Sequence, residues 1–311
     1  MSKEKNTSLS ASIKELPLNP ARTPVIVVAW LATLLASTLP DAVWQQFSGT
    51  IPNWLIWGKA GLILALILVT WAWKWLKLLR TYLILLWVHI MAWEILFYIQ
   101  ATPAWSQWTK SNTWVSGILM IQLIKFGIAL LTLAALFILM RRRQRFFWVK
   151  GQVNAVAEPV RWLGIKEQIS WKVLGSIVAC AAALIMTIVL GLTNQPSTTI
   201  LVKALPLFPA ALLFAATNAF NEEVSFRSGL LAPLYEAIGK SHALALTAIF
   251  FGLAHYSGGV PLATLPTILM VALLGWLMGK SMLETRGFYW AWLIHLVNDI
   301  PVFAFLAMGS V

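Results

Sequence analysis

Charge is scarce in this chain. Of its 311 residues 11% are charged, where a water-soluble domain carries about one quarter, while 59% are hydrophobic and the mean hydropathy is +0.78. A soluble domain and a disordered chain are both excluded by that balance. A single cysteine, Cys180 in an apolar run, rules out a disulfide framework and a cysteine-based metal site. Stretches of alternating polarity are also missing. Segments such as GLILALILVTWAW at 61–73 are apolar on every face, which excludes a porin-like barrel. No G-x-S-x-G elbow lies near the histidines, and the zinc-protease helix motif H-E-x-x-H is absent. No internal repeat is visible, which counts against transporter folds built from duplicated halves.

What is present is a succession of apolar runs, at roughly 25–39, 54–73, 81–100, 115–140, 171–192, 200–220, 242–257, 262–282 and 288–308. At about 20 apolar residues per crossing, these predict an all-α polytopic transmembrane bundle of about 8–9 spans. The first run follows a polar leader and lacks a small-residue cleavage pattern, so it reads as a retained span or anchor and not a removed signal peptide. The 23 Lys and Arg against 11 Asp and Glu give a formal charge of +12, and the bases cluster beside the spans. Eight lie between Arg141 and Lys172, three at Lys74, Lys77 and Arg80, and four in the first 24 residues, whereas 40–53 has none and 101–114 has only Lys110. The positive-inside rule then predicts a multi-pass protein of the cytoplasmic membrane with its N terminus inside. The bases serve topology and the partner is the lipid bilayer, not nucleic acid.

Three regions follow. Residues 1–140 form a cytoplasmic leader plus a four-helix membrane part. Residues 141–170 read as a basic amphipathic connector along the cytoplasmic headgroups, and 171–311 as a catalytic helical core.

Ionisable residues inside a span are functional candidates by default. In the front part, His89, Glu94 and Lys125 read as helix-packing or snorkelling groups. The back part holds Glu222, Glu223 and Arg227, then Phe251 and His255, then His295, Asn298 and Asp299, each in or against an apolar helix. On a helix Glu223 and Arg227 can pair at i,i+4, which leaves Glu222, about 100° round, facing another neighbour. Phe251 and His255 share a face by the same spacing, as do His295 and Asp299. A carboxylate that takes a proton from water, beside imidazoles that hold the water or stabilise an oxyanion, suits amide hydrolysis without a covalent intermediate. Glu222, His255 and His295 also make a two-His, one-carboxylate set for zinc, with no spacing to check because three helices supply it. The same cluster would serve a proton- or ion-coupled transporter, or a scaffold binding hydrophobic peptides.

Glu222-Glu223-x-x-x-Arg227, Phe251-x-x-x-His255 and His295-x-x-x-Asp299 resemble, in order, the EExxxR, FxxxH and HxxxN/D motifs of the CAAX protease and bacteriocin-processing (Abi) family of intramembrane proteases. The resemblance covers roughly 171–308. It implies an endopeptidase acting on a hydrophobic or lipidated peptide, with Glu222 as the base, His255 positioning water, His295 and Asp299 at the oxyanion, and Glu223 and Arg227 as braces. It leaves open whether zinc or a metal-free mechanism operates. An ionised Asp299 cannot donate to an oxyanion, so it is protonated, or Asn298 supplies the amide, or Asp299 orients His295. The expected cavity opens toward the cytoplasm. For Glu222 and His255 to meet, the helix through Glu222 must run on toward Leu234, or the His255 helix must stop near midplane with 256–261 folded back.

Overall fold

The computed structural model describes residues 23–256 and 261–311, so the leader and the fold-back at 257–260 lie outside the described residues. Helices account for nearly all of it, in the order α1 (Thr23–Ala36), α2 (Leu39–Ser48), α3 (Trp54–Ala72), α4 (Arg80–Gln100), α5 (Pro103–Ser111), α6 (Trp114–Met140), α7 (Trp171–Asn194), α8 (Thr198–Ala204), α9 (Phe208–Glu223), α10 (Ala232–Ile238), α11 (Lys240–Leu253), α12 (Pro261–Thr285) and α13 (Tyr289–Met308). Among the described residues seven helical segments are long and apolar enough to cross a membrane, or up to eight if α1 and α2, bent by 52°, count as one span. The chain is an all-α, multi-pass membrane bundle. The count falls at the low end of expectation because α11 has 14 residues and does not reach across.

Local sequence explains the element ends. The Thr102 and Thr113 side chains cap α5 and α6, accepting the amides of Trp105 and Ser116 at 3.2 and 3.3 Å. Between α9 and α10 the helix does not stop. It continues as a π-helix, Val224–Leu231, buried throughout, so that one helical path carries Glu222 through the bundle toward Leu234. The first way of bringing Glu222 to His255, a long helix through the motif, is thus realised, and α11 is short, with the fold-back after it outside the described residues.

The buried apolar core is continuous from front to back. Val25, Ile63, Leu83 and Leu133 belong to the same cluster as Leu231, Phe251, Met282 and Ile294. Residues 141–170 contain no α-helix. Phe146 and Phe147 are buried, and a two-residue strand β1 (Val156–Ala157) pairs antiparallel with β2 (Ile169–Ser170). The segment straps the turn between α12 and α13, with Gln152 N donating to Thr285 O at 2.7 Å and Phe288 N to Val149 O at 2.8 Å. Gly151 permits this approach. It has φ +77°, and a Cβ there would lie 2.6 Å from Thr285 O.

The basic segments share one end of the bundle. The 3-10 turn Lys74–Leu79 packs on α10, and Arg145 ion-pairs with Glu236 of α10. The opposite end carries the α1–α2 bend, the segment 49–53 and the α4–α5 turn.

Candidate active site

Glu222 and Glu223, at the end of α9, point to different neighbours, as adjacent helical residues must. Glu223, with a fully buried side chain, accepts from His295 Nδ1 at 2.8 Å through Oε1 and has Arg227 Nε 3.3 Å from Oε2. The i,i+4 pair is formed within the π-wound stretch. The guanidinium also stacks 4.0 Å over the Phe251 ring and reaches the Gly275 carbonyl at 3.4 Å. Gly275 is required there, since a Cβ would meet Phe251 Cδ1 at 2.8 Å and Arg227 Nη2 at 3.2 Å.

Glu222 is held from the front part of the molecule. Lys125 Nζ of α6 lies 2.8 Å from Glu222 Oε1 and 2.6 Å from Asn218 Oδ1, one turn up α9. Glu222 Oε2 faces His295 Nε2 at 3.7 Å, and the same nitrogen is 3.5 Å from Asp299 Oδ2. Asp299 accepts from Asn218 Nδ2 at 2.9 Å and from Asn298 Nδ2 at 3.4 Å. Two amide donors on its oxygens are the surroundings of a carboxylate and favour its orienting His295, and they use one of the two Asn298 amide hydrogens. His255, just past the end of α11, is exposed, and its Nδ1 is 2.9 Å from the Phe251 carbonyl oxygen. A carbonyl only accepts, so in the neutral ring Nδ1 carries the proton and Nε2 is an acceptor. The Phe251 ring stands edge-on to both His255 and His295, with centroids 4.8 and 5.9 Å away.

All eight residues singled out in the motifs therefore gather on three adjoining elements, with Glu222 and His255 in the wall of one cavity of about 1020 Å³. Lys125, Asn218 and Gln122, which bonds Asn218 and Asn221, were not expected. A lysine midway along an apolar run was the available signal for the first of these. Snorkelling does not account for it, because Lys125 is about 16 Å from the start of α6 and about 22 Å from its end.

The front helices line most of the cavity. Its wall runs from Glu222, Phe226 and His255 past His89, Trp93 and Glu94 of α4 to Ser37, Asp41, Asn53 and Gln100, and among the described residues takes nothing from the basic end. The α1–α2 bend forms part of this wall, with Thr38 Oγ1 donating to the Leu253 carbonyl at the end of α11. Irregular backbone at depth is permitted where it lines such a space. A cytoplasmic basic connector and a cytoplasmic mouth, both expected from the sequence, are thus incompatible. The motif helices alone gave no sign of which way the cavity runs, because the wall that sets it lies outside them.

Nδ1 of His295 bonds Glu223 and Nδ1 of His255 bonds a carbonyl, which leaves each ring one further nitrogen, Nε2. Among the described residues no three His, Cys, Asp or Glu side chains are disposed to hold a metal ion.

No curated protein and no solved structure matches the chain at a significant level. Residues 204–301, which contain all three motifs, match the family model described as type II CAAX prenyl endopeptidase Rce1-like, in agreement with the resemblance of those motifs, and a membrane endopeptidase is the general class of activity the match supports.

Proposed function

We propose that the chain hydrolyses a peptide bond of a hydrophobic or membrane-associated peptide, with Glu222 activating water at the floor of the cavity. The observation that carries this is the bonding of Glu222. Lys125 occupies Oε1, while among the described residues Oε2 accepts no hydrogen bond and has His295 as its ion-pair neighbour at 3.7 Å, and the residue borders the cavity. That oxygen is placed to take a proton from a water whose other side is held by His255 Nε2. The water oxygen bonds to the peptide carbon and the carbonyl electron pair moves onto its oxygen. His295, oriented through Nδ1 by Glu223, stabilises that charge when Nε2 carries a proton. Collapse breaks the C–N bond, and the proton held by Glu222 passes to the leaving amine. A cavity lined from one end only supports hydrolysis over the transport reading, which needs access from both.

Under the positive-inside rule the basic end faces the cytoplasm and the cavity runs toward the other side. With Cys180 replaced, Ser111→Cys should react with an impermeant thiol reagent on intact cells and Arg143→Cys should not. The reverse pattern would turn the mouth to the cytoplasm and make a prenylated cytoplasmic C terminus, the substrate in the family's name, the leading candidate. The decisive test of activity compares membrane proteomes of cells making wild type or Glu222→Gln. A peptide cut only by wild type is expected, and cleavage surviving in purified Glu222→Gln protein would end the proposal.

A further inference from the structure

Five formally charged side chains line the cavity, namely Asp41, Lys59, Glu94, Lys125 and Glu222. Four are matched. Lys59 bonds the Asp41 carboxylate and, at 2.9 Å, the Ser37 carbonyl, and Lys125 holds Glu222. Glu94 is left over. It is half-buried and has no hydrogen-bond or ion-pair partner among the described residues, while Lys59 and Asp41 act on it with opposite sign. With the imidazoles neutral, the cavity carries one unmatched negative charge. A carboxylate within a span is costly unless it meets water or a cation, so this one needs a reason.

Its surroundings suit a cation. Trp93, Phe97 and Tyr98 of α4, together with Trp57 of α3, line the same cavity. Aromatic faces attract ammonium and guanidinium groups, and the cavity already shows the pairing, since Lys125 Nζ stands 5.2 Å from the Trp93 ring centroid. Along α4, Glu94 is about 7 Å mouthward of His89, whose ring meets Phe226 at 4.7 Å, and about 9 Å inside Gln100. A group bound there would sit between the mouth and Glu222.

We propose that Glu94 and the rings of Trp57, Phe97 and Tyr98 form a cation subsite that takes a Lys or Arg side chain of a hydrophobic peptide, on the mouth side of the bond to be cut. The word substrate rests on the endopeptidase reading, whereas the binding does not. All of these residues lie outside the segment that matches the family, so the subsite would set specificity independently of the motifs.

The test uses the full-length protein in detergent and three fluorescein-labelled hydrophobic peptides, identical except for Lys, norleucine or Glu at one central position. By anisotropy, wild type should bind the Lys peptide about tenfold more tightly than the norleucine peptide. Glu94→Gln should remove that difference and Glu94→Lys should shift preference to the Glu peptide. Equal affinities in wild type, or a Lys preference that survives Glu94→Gln, would overturn the subsite. Cleavage of the same peptides by wild type and Glu222→Gln reads the enzyme separately. Preference without cleavage sinks the endopeptidase reading alone, and cleavage without preference sinks the subsite alone.

Discussion

Glu284 and Glu222 are buried to nearly the same degree, with side chains 5% and 9% exposed, and each faces a lysine, yet their bonding is opposite in kind. Glu284, at the basic end, is saturated. Lys240 at 2.9 Å and Lys280 bond one oxygen, while Trp171 Nε1 at 2.9 Å and the Glu158 amide at 3.3 Å bond the other. Glu222 has a cation on one oxygen, no hydrogen bond to the second among the described residues, and a place in the cavity wall. Burial alone does not mark a working carboxylate. Unused hydrogen-bonding capacity beside a cavity does.

The sharpest way to break this contrast is to neutralise both acids in parallel. Glu222→Gln should lower cleavage by about 10²–10⁴-fold and leave the folded protein intact, whereas Glu284→Ala should leave activity per folded molecule unchanged and lower stability in detergent by about 3 kcal/mol, since Lys280 is left buried without its partner. An inactive but stable Glu284→Ala protein would erase the distinction. Glu223→Gln is intermediate in kind, because it strands Arg227, whose side chain is 2% exposed, and loosens His295 at once. A stability loss of about 3–5 kcal/mol by thermal melting, together with reduced turnover, is expected. Gly275→Ala should cost about 1–3 kcal/mol by pressing on Phe251 and Arg227. The smallest effect belongs to Glu158, two-thirds exposed, whose carboxyl is held below its ordinary value by the hydrogen bond from Lys240. A depressed carboxyl contributes stability above its unfolded value, near 4.3, and loses it as pH falls through the folded value. Melting curves of wild type and Glu158→Gln should therefore differ slightly at neutral pH and converge as pH falls through the folded value.

The motif residues were legible because their partners are local. Glu223 with Arg227 and His295 with Asp299 are four apart, and helical geometry needs no tertiary knowledge to place them on one face. Lys125 and Asn218 were not, since the bond between them joins helices 93 residues apart in sequence. Helix α6 is apolar all round, so nothing in its pattern tells which side faces the bundle. The membrane class followed from composition alone, but the strap at 141–170 did not. Its Phe and Trp residues fit a headgroup anchor as well as a buried plug, and only the tertiary structure shows Phe146 meeting Phe137 of α6 and Phe147 meeting Tyr235 of α10.

The tie from Lys125 to Glu222 also bears on how such a protein can change over evolutionary time. The segment that carries the motifs supplies the carboxylate, but its counter-ion and most of the cavity wall come from helices outside that segment. A graft of 204–301 onto another set of anchoring helices would bring a buried acid with no cation beside it. Helix α6 and the segment are therefore a single heritable unit. Substitutions at 125, 218 and 222 should be accepted together or not at all, and a chimera joining front and back halves of two relatives should work only when all three positions come from one parent.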